Sequence, residues 1–124
     1  MPRLLPCLVL ALLAACAPRQ ARYTGTLTPE TACGSAGPAT LTVLDGHAEF
    51  APNDGAVVVP GEVAADGTLS GWLVLPGTDK KPFPLKLEGK VTKDVATGSY
   101  ITPRCRFVLL LTRVRSKFFQ DVLP

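Results

Sequence analysis

The chain has a single histidine and a single tryptophan. It also lacks a CxxC pair, a dense block of charge and an apolar run long enough to cross a bilayer. Each absence removes a class of function. The apolar opening run, Leu4 to Ala15, spans twelve residues, whereas a spanning helix needs roughly 20. Thirteen lysines and arginines against ten aspartates and glutamates are scattered along the length, so the basic stripe of a nucleic-acid binder is missing. There is no Gly-rich phosphate loop between a strand and a helix, which argues against nucleotide chemistry.

Catalytic chemistry finds little support in the residues. His47 precedes Glu49, and the local alternation sets both on the face opposite Ala48 and Phe50, a solvated strand position rather than a general base or metal ligand. Ser35, Ser70, Ser99 and Ser116 lack the sharp elbow and adjacent base that activate a serine nucleophile. Asp45, Asp54, Asp66 and Asp79 do not supply the dense oxygen ligands of a calcium loop, and the first three are explained as turn residues. Lys80 and Lys81 read as a soluble hairpin tip. No catalytic residue, metal site or cofactor is expected.

The first residues have the shape of a secretory leader: one positive charge at Arg3, then an apolar stretch ending in small residues. Leu13-Ala14-Ala15-Cys16 resembles the lipobox of bacterial lipoprotein signal peptides. That resemblance implies cleavage before Cys16, a diacylglyceryl group on its thiol and further acylation of the freed amine. Each buried methylene is worth about 0.8 kcal/mol, so two or more acyl chains anchor stably where one does not. Ala17 stands where aspartate would mark inner-membrane retention in the enterobacterial pattern, so the implied address is the outer membrane, facing the periplasm. The implied organisation is a cleaved signal peptide over 1–15, a lipidated tether over 16–21, a domain over 22–114 and a C-terminal tail or short helix over 115–124. One domain is all that such a length supports.

With Cys7 in the leader and Cys16 acylated, Cys33 and Cys105 remain for one disulfide in an oxidising compartment. Closing a loop of about 70 residues would be worth about 4 kcal/mol on chain-entropy grounds. The bridge would join the start of the domain to its last strand.

Beyond Tyr23 the texture is short alternating runs cut by glycine, proline and aspartate, the pattern of an antiparallel β meander. Asp45-Gly46, Asp54-Gly55 and Asp66-Gly67 read as hairpin tips, since a type I′ turn needs φ > 0 at both central residues. Strands are expected at 22–27, 39–44, 47–51, 56–59, 62–64, 68–75, 83–92, 97–102 and 105–114, with some merging. Pro84 suits an edge or a strand start. The run 106–111 is more continuously apolar, as for a strand covered on both faces. The expected fold is all-β, an up-and-down barrel or sandwich of about eight short strands with one disulfide. A helical stripe is found only near the end, where Phe118, Phe119 and Val122 share a face.

The spacing of Tyr23-Thr24-Gly25 and Cys33 against Gly98-Ser99-Tyr100 and Cys105 is similar to that of small exported β domains in many bacterial lipoproteins. That resemblance implies fold more than activity. The expected role is a monomeric, membrane-anchored structural or protein-interaction module of the cell envelope, with an envelope protein as its partner. The alternatives are a barrel enclosing a small apolar ligand, with Trp72, Tyr100 and Phe107 at its mouth, or an inhibitor of a secreted hydrolase. Replacing Cys16 with serine is expected to shift the protein from the membrane to the aqueous fraction in an all-or-none manner. Fractionation with mass spectrometry of the N-terminus checks this, and a serine variant that stays in the membrane contradicts it.

Overall fold

The computed structural model describes residues 20–30, 34–53, 57–78 and 81–115. Cys16, Cys33, Asp54-Gly55, Asp79, Lys80 and the C-terminal stripe lie outside the described residues. Eight strands follow one another: β1 (Gln20–Pro29), β2 (Gly37–Leu44), β3 (His47–Pro52), β4 (Val59–Val63), β5 (Thr68–Pro76), β6 (Pro82–Val91), β7 (Val95–Ile101) and β8 (Arg106–Arg113). Each pairs antiparallel with the next, and β8 returns to β1 to close a barrel. The all-β reading holds, as a barrel and not a sandwich.

Most strand ends fall within two residues of those the sequence pattern predicts, and two differences bear on the organisation. The runs at 56–59 and 62–64 give one strand, β4, and β1 begins at Gln20, because Gln20 and Ala21 continue the ladder opposite Leu44 and Val43. The expected tether over 16–21 therefore loses its last two residues to the sheet.

Alternation directs one side-chain set inward. Leu41, Phe50, Leu109 and Leu111 have no solvent exposure at all, and each such burial contributes about 1.5–3 kcal/mol. Between these large groups stand Ala39, Ala48 and Ala96, also buried, the mixture of sizes that fills a narrow, tapering interior. No polar or charged side chain is buried among the described residues. The apolar set faces in and the charged set faces out, the inverse of a transmembrane barrel with its apolar outer band. No described helix is long and apolar enough to cross a membrane.

The barrel has two unlike ends. At one, connections are tight. Asp45 (φ 49) and Gly46 (φ 82) form the two-residue turn between paired Leu44 and His47, as the Asp-Gly signal predicts. Asp66-Gly67 works differently, since only Gly67 (φ 92) is left-handed. Gly67 N–H donates to Ala64 O, and Asp66 instead accepts from Thr68 N–H at 3.0 Å. Here a type I turn followed by a left-handed glycine replaces the two-residue turn. The hydroxyl of Tyr23 donates across the same end to Thr92 O at 2.7 Å.

At the other end the strands lose a neighbour, and there the prolines gather. Pro29, Pro38, Pro52, Pro60, Pro76, Pro82 and Pro84 all lie in stretches paired on one side only. Lacking an N–H, proline is tolerated where no second ladder needs one. Pro84 illustrates it: β6 pairs with β5 from Pro82 onward but with β7 only from Lys86.

Cys105 lies at this proline-rich end and is disulfide-bonded. Beside it, Glu30 N–H donates to Arg106 O at 2.9 Å. A Cβ built on Gly34 would stand 3.7 Å from the Phe107 ring.

Closure also requires the backbones to approach closely at corners. Gly89 and Gly98 are register partners, and a Cβ on Gly98 would meet Glu88 O and stand 2.6 Å from Gly89 Cα. Gly98→Ala is expected to lower stability by about 2–4 kcal/mol, since the opposing contacts are backbone and cannot swing away. Gly34→Ala, whose Cβ would meet the Phe107 ring at an ordinary van der Waals distance, should change stability by less than about 0.5 kcal/mol. Chemical denaturation of the two variants checks the contrast, and equal midpoints would contradict the corner assignment.

Candidate functional site

The three aromatic residues expected at a barrel mouth are not brought together. Tyr100 and Phe107, paired across β7 and β8, point inward and stack with ring centroids 5.8 Å apart. Phe50 packs on the far side of Tyr100 at 5.3 Å. This column fills the interior near the proline-rich end instead of lining a ligand mouth. Burial raises the pKa of the Tyr100 phenol above its ordinary 10.0.

Trp72 is the correction to the sequence reading. It is neither core nor mouth: it stands on the outer face of β5, 67% exposed. Its neighbours in β5 explain why. Leu69, Leu73 and Leu75 occupy the inward parity, so Ser70, Trp72 and Val74 take the outward one.

Around Trp72 the strand register builds two outward rows. Trp72 and its partner Lys86 form one, with Pro60 at outward parity on β4 just beyond the stretch paired with β5, and His47, Glu62, Ser70 and Glu88 form the other. Between them run inward-facing Gly61, Gly71 and Leu87, whose outer surface is bare backbone. Gly61 and Gly71 are partners at another close corner, where a Cβ on Gly71 would sit 2.9 Å from Gly61 Cα. The result is an open groove of about 850 Å³. The rows are two residues apart, about 7 Å along the strand direction.

Charges at the groove are mixed and solvated. His47 Nδ1 lies 3.9 Å from Glu62 Oε1, both side chains more than 70% exposed. Lys86 Nζ lies 3.5 Å from Glu88 Oε2, and Arg106 Nη2 lies 3.6 Å from Glu88 Oε1. Exposed pairs of this kind contribute about 0–1 kcal/mol each, so they do not hold the barrel together. Both donors and acceptors remain near the indole.

The outer surface on the other half is different again. The apolar run 106–111 predicts cover on both faces, but β8 alternates and leaves Val108 and Leu110 exposed at 44% and 59%. Pairing sets Leu110 between Thr26 and Thr97, and Val108 between Thr28 and Ser99. Thr24 and Thr40 extend the same face. It is a threonine and aliphatic surface with no charge at its centre; Arg22 and Arg106 stand at its margins.

Among the described residues no group of three or more metal-ligating side chains is found. At the tight-turn end, Thr68 hydrogen bonds lower the Asp66 pKa below its ordinary 3.8; the group acts in its own turn. No protein-family model, curated protein or solved structure matches the chain.

In Tyr23→Phe, Tyr100 is the remaining one of two tyrosines. Ultraviolet titration of this variant is expected to show its phenol ionising above 10. The unfolded chain then releases its proton first, so folding stability falls as pH rises past 10 toward the folded-state pKa. Ionisation at 10 or below would contradict the burial of this ring.

Proposed function

We propose that this chain is a membrane-anchored bacterial lipoprotein whose barrel serves the cell envelope as a protein-interaction module, working through its outer surface and carrying no catalytic site. The observation that carries this reading is the pairing of a filled interior with an uncharged outer face over β2, β1, β8 and β7. Phe50, Leu27, Leu41 and Leu109 are at most 2% exposed, and they occupy the space an apolar ligand would need. The uncharged face exposes apolar area that a partner would cover, the arrangement expected of a contact surface with a charge-depleted centre.

In this reading Cys16 carries acyl chains on the periplasmic side of the outer membrane. Residues 16–19 bridge to β1, a span of at most about 14 Å. The barrel therefore works close to the bilayer. Cys33 is the partner assigned to Cys105, clasping the proline-rich end where strand pairing is thinnest.

A photo-crosslinking amino acid at Leu110 of the full-length protein, in its own membrane, is expected to capture a discrete envelope protein. The same group at Glu49, on the charged half, should not capture it. Adding a positive charge at neighbouring Thr26 (Thr26→Lys) should abolish the adduct while leaving the thermal midpoint within about 4 °C. No specific adduct from Leu110, or equal capture from both positions, would overturn the assignment of this face.

A further inference from the structure

The exposed indole on β5 is not explained by the core, by the anchor or by the uncharged face on the far half of the barrel. We propose that the Trp72 groove binds a neutral pyranose residue of a glycan, with the sugar ring stacked on the indole and its hydroxyls held by the opposite row. The proposal is independent of the lipid anchor and of the crosslinked face.

The chemistry of the two walls is what selects this class. One wall is apolar: Trp72, with Pro60 lining the same groove. The other is polar: Glu62, Ser70 and Glu88, with His47 beyond Glu62. A pyranose is built to match. Its axial C–H groups form an apolar patch that stacks on the negative face of an aromatic ring. Its equatorial hydroxyls each donate and accept, which suits carboxylates, a serine hydroxyl and an ammonium set around the rim.

The spacing and the charge narrow the choice further. Rows about 7 Å apart leave room for one saturated ring lying against one wall. The floor of the trough between them is the bare backbone of inward-facing Gly61, Gly71 and Leu87. The charges of Glu62 and Glu88 are matched in number by those of Lys86 and Arg106, both of which pair with Glu88, at 3.5 and 3.6 Å, so the rim has no strong net sign. A neutral ligand follows. A proline-rich peptide would want a series of parallel aromatic ridges, and this chain has one tryptophan.

The single tryptophan is also the reporter. The full-length protein, held in a zwitterionic detergent without a sugar headgroup, is titrated with chitotriose and separately with maltotriose. Saturable changes are expected in Trp72 emission and in the nuclear magnetic resonance signals of the indole N–H, Gly61, Gly71 and Ser70. Saturation by chitotriose alone identifies an N-acetylated glycan as the source; saturation by maltotriose alone, or by both, identifies a recognition of the bare ring. Trp72→Ala should weaken binding at least about tenfold, as loss of a central aromatic contact does, and Trp72→Phe less. Because Trp72 faces outward, neither variant should move the denaturation midpoint. Should Trp72→Ala fail to fold, the chemical-shift map on the unmodified protein decides the matter. No saturable change with either sugar, or changes confined to residues away from the groove, would overturn the proposal.

Discussion

The ladder between β1 and β8, running from Tyr23 opposite Arg113 to Pro29 opposite Phe107, is the interaction from which the other properties follow. It joins the first and last described strands, so the sheet has nowhere to end. Once closed, a sheet of eight short strands encloses a narrow interior, and here Leu41, Phe50, Leu109 and Leu111 are packed into it without exposure. That constraint decides parity in every strand, because a shift by one residue would turn Phe50, Leu41 and Leu109 out to water and bring charges in. It also decides where recognition can take place. A barrel filled this way has its outside left for contacts.

The outside is divided. Charges sit on β3 to β6, where His47, Glu49, Glu62, Lys86 and Glu88 point outward, while the centre of the face over β2, β1, β8 and β7 carries none. The ion pairs on the charged half are long and solvated, so their contribution to stability is small. The division therefore bears on partners more than on folding. The two proposals rest on opposite halves, and a protein on one face would leave a glycan on the other undisturbed.

Much of the fold was legible in the residues. Alternation and Asp-Gly turns are local signals, and they place strands and tips correctly wherever the backbone obeys them, as at Asp45-Gly46. Asp66-Gly67 shows the limit: the same dipeptide enters a different turn because Asp66 accepts from Thr68. Closure was not legible, since it depends on a pairing between segments about 90 residues apart that leaves no mark in either one. The groove was missed for a related reason. Trp72 and Val74 look as apolar as Leu73 and Leu75, and only the parity set by Leu69 tells the outward pair from the inward one. Glu62, Ser70, Lys86 and Glu88 become neighbours of the indole only through register across three strands. For β8, apolar composition alone predicts cover on both sides, whereas the hydroxyl-bearing neighbours of Val108 and Leu110 offer none.

The gathering of prolines at the loosely paired end bears on life at a crowded surface. Acyl chains would confine many copies to two dimensions, where encounters between barrels are frequent and repeated. A strand segment with one vacant side is an invitation for a neighbouring chain to zip onto it. Seven prolines in six such segments take donors out of those rows, and a lattice of edge-to-edge contacts cannot propagate through gaps of that kind. Under the proposed anchoring, the looser rim would gain its safety from chemistry that withholds pairing, and each barrel would diffuse as an individual among its neighbours.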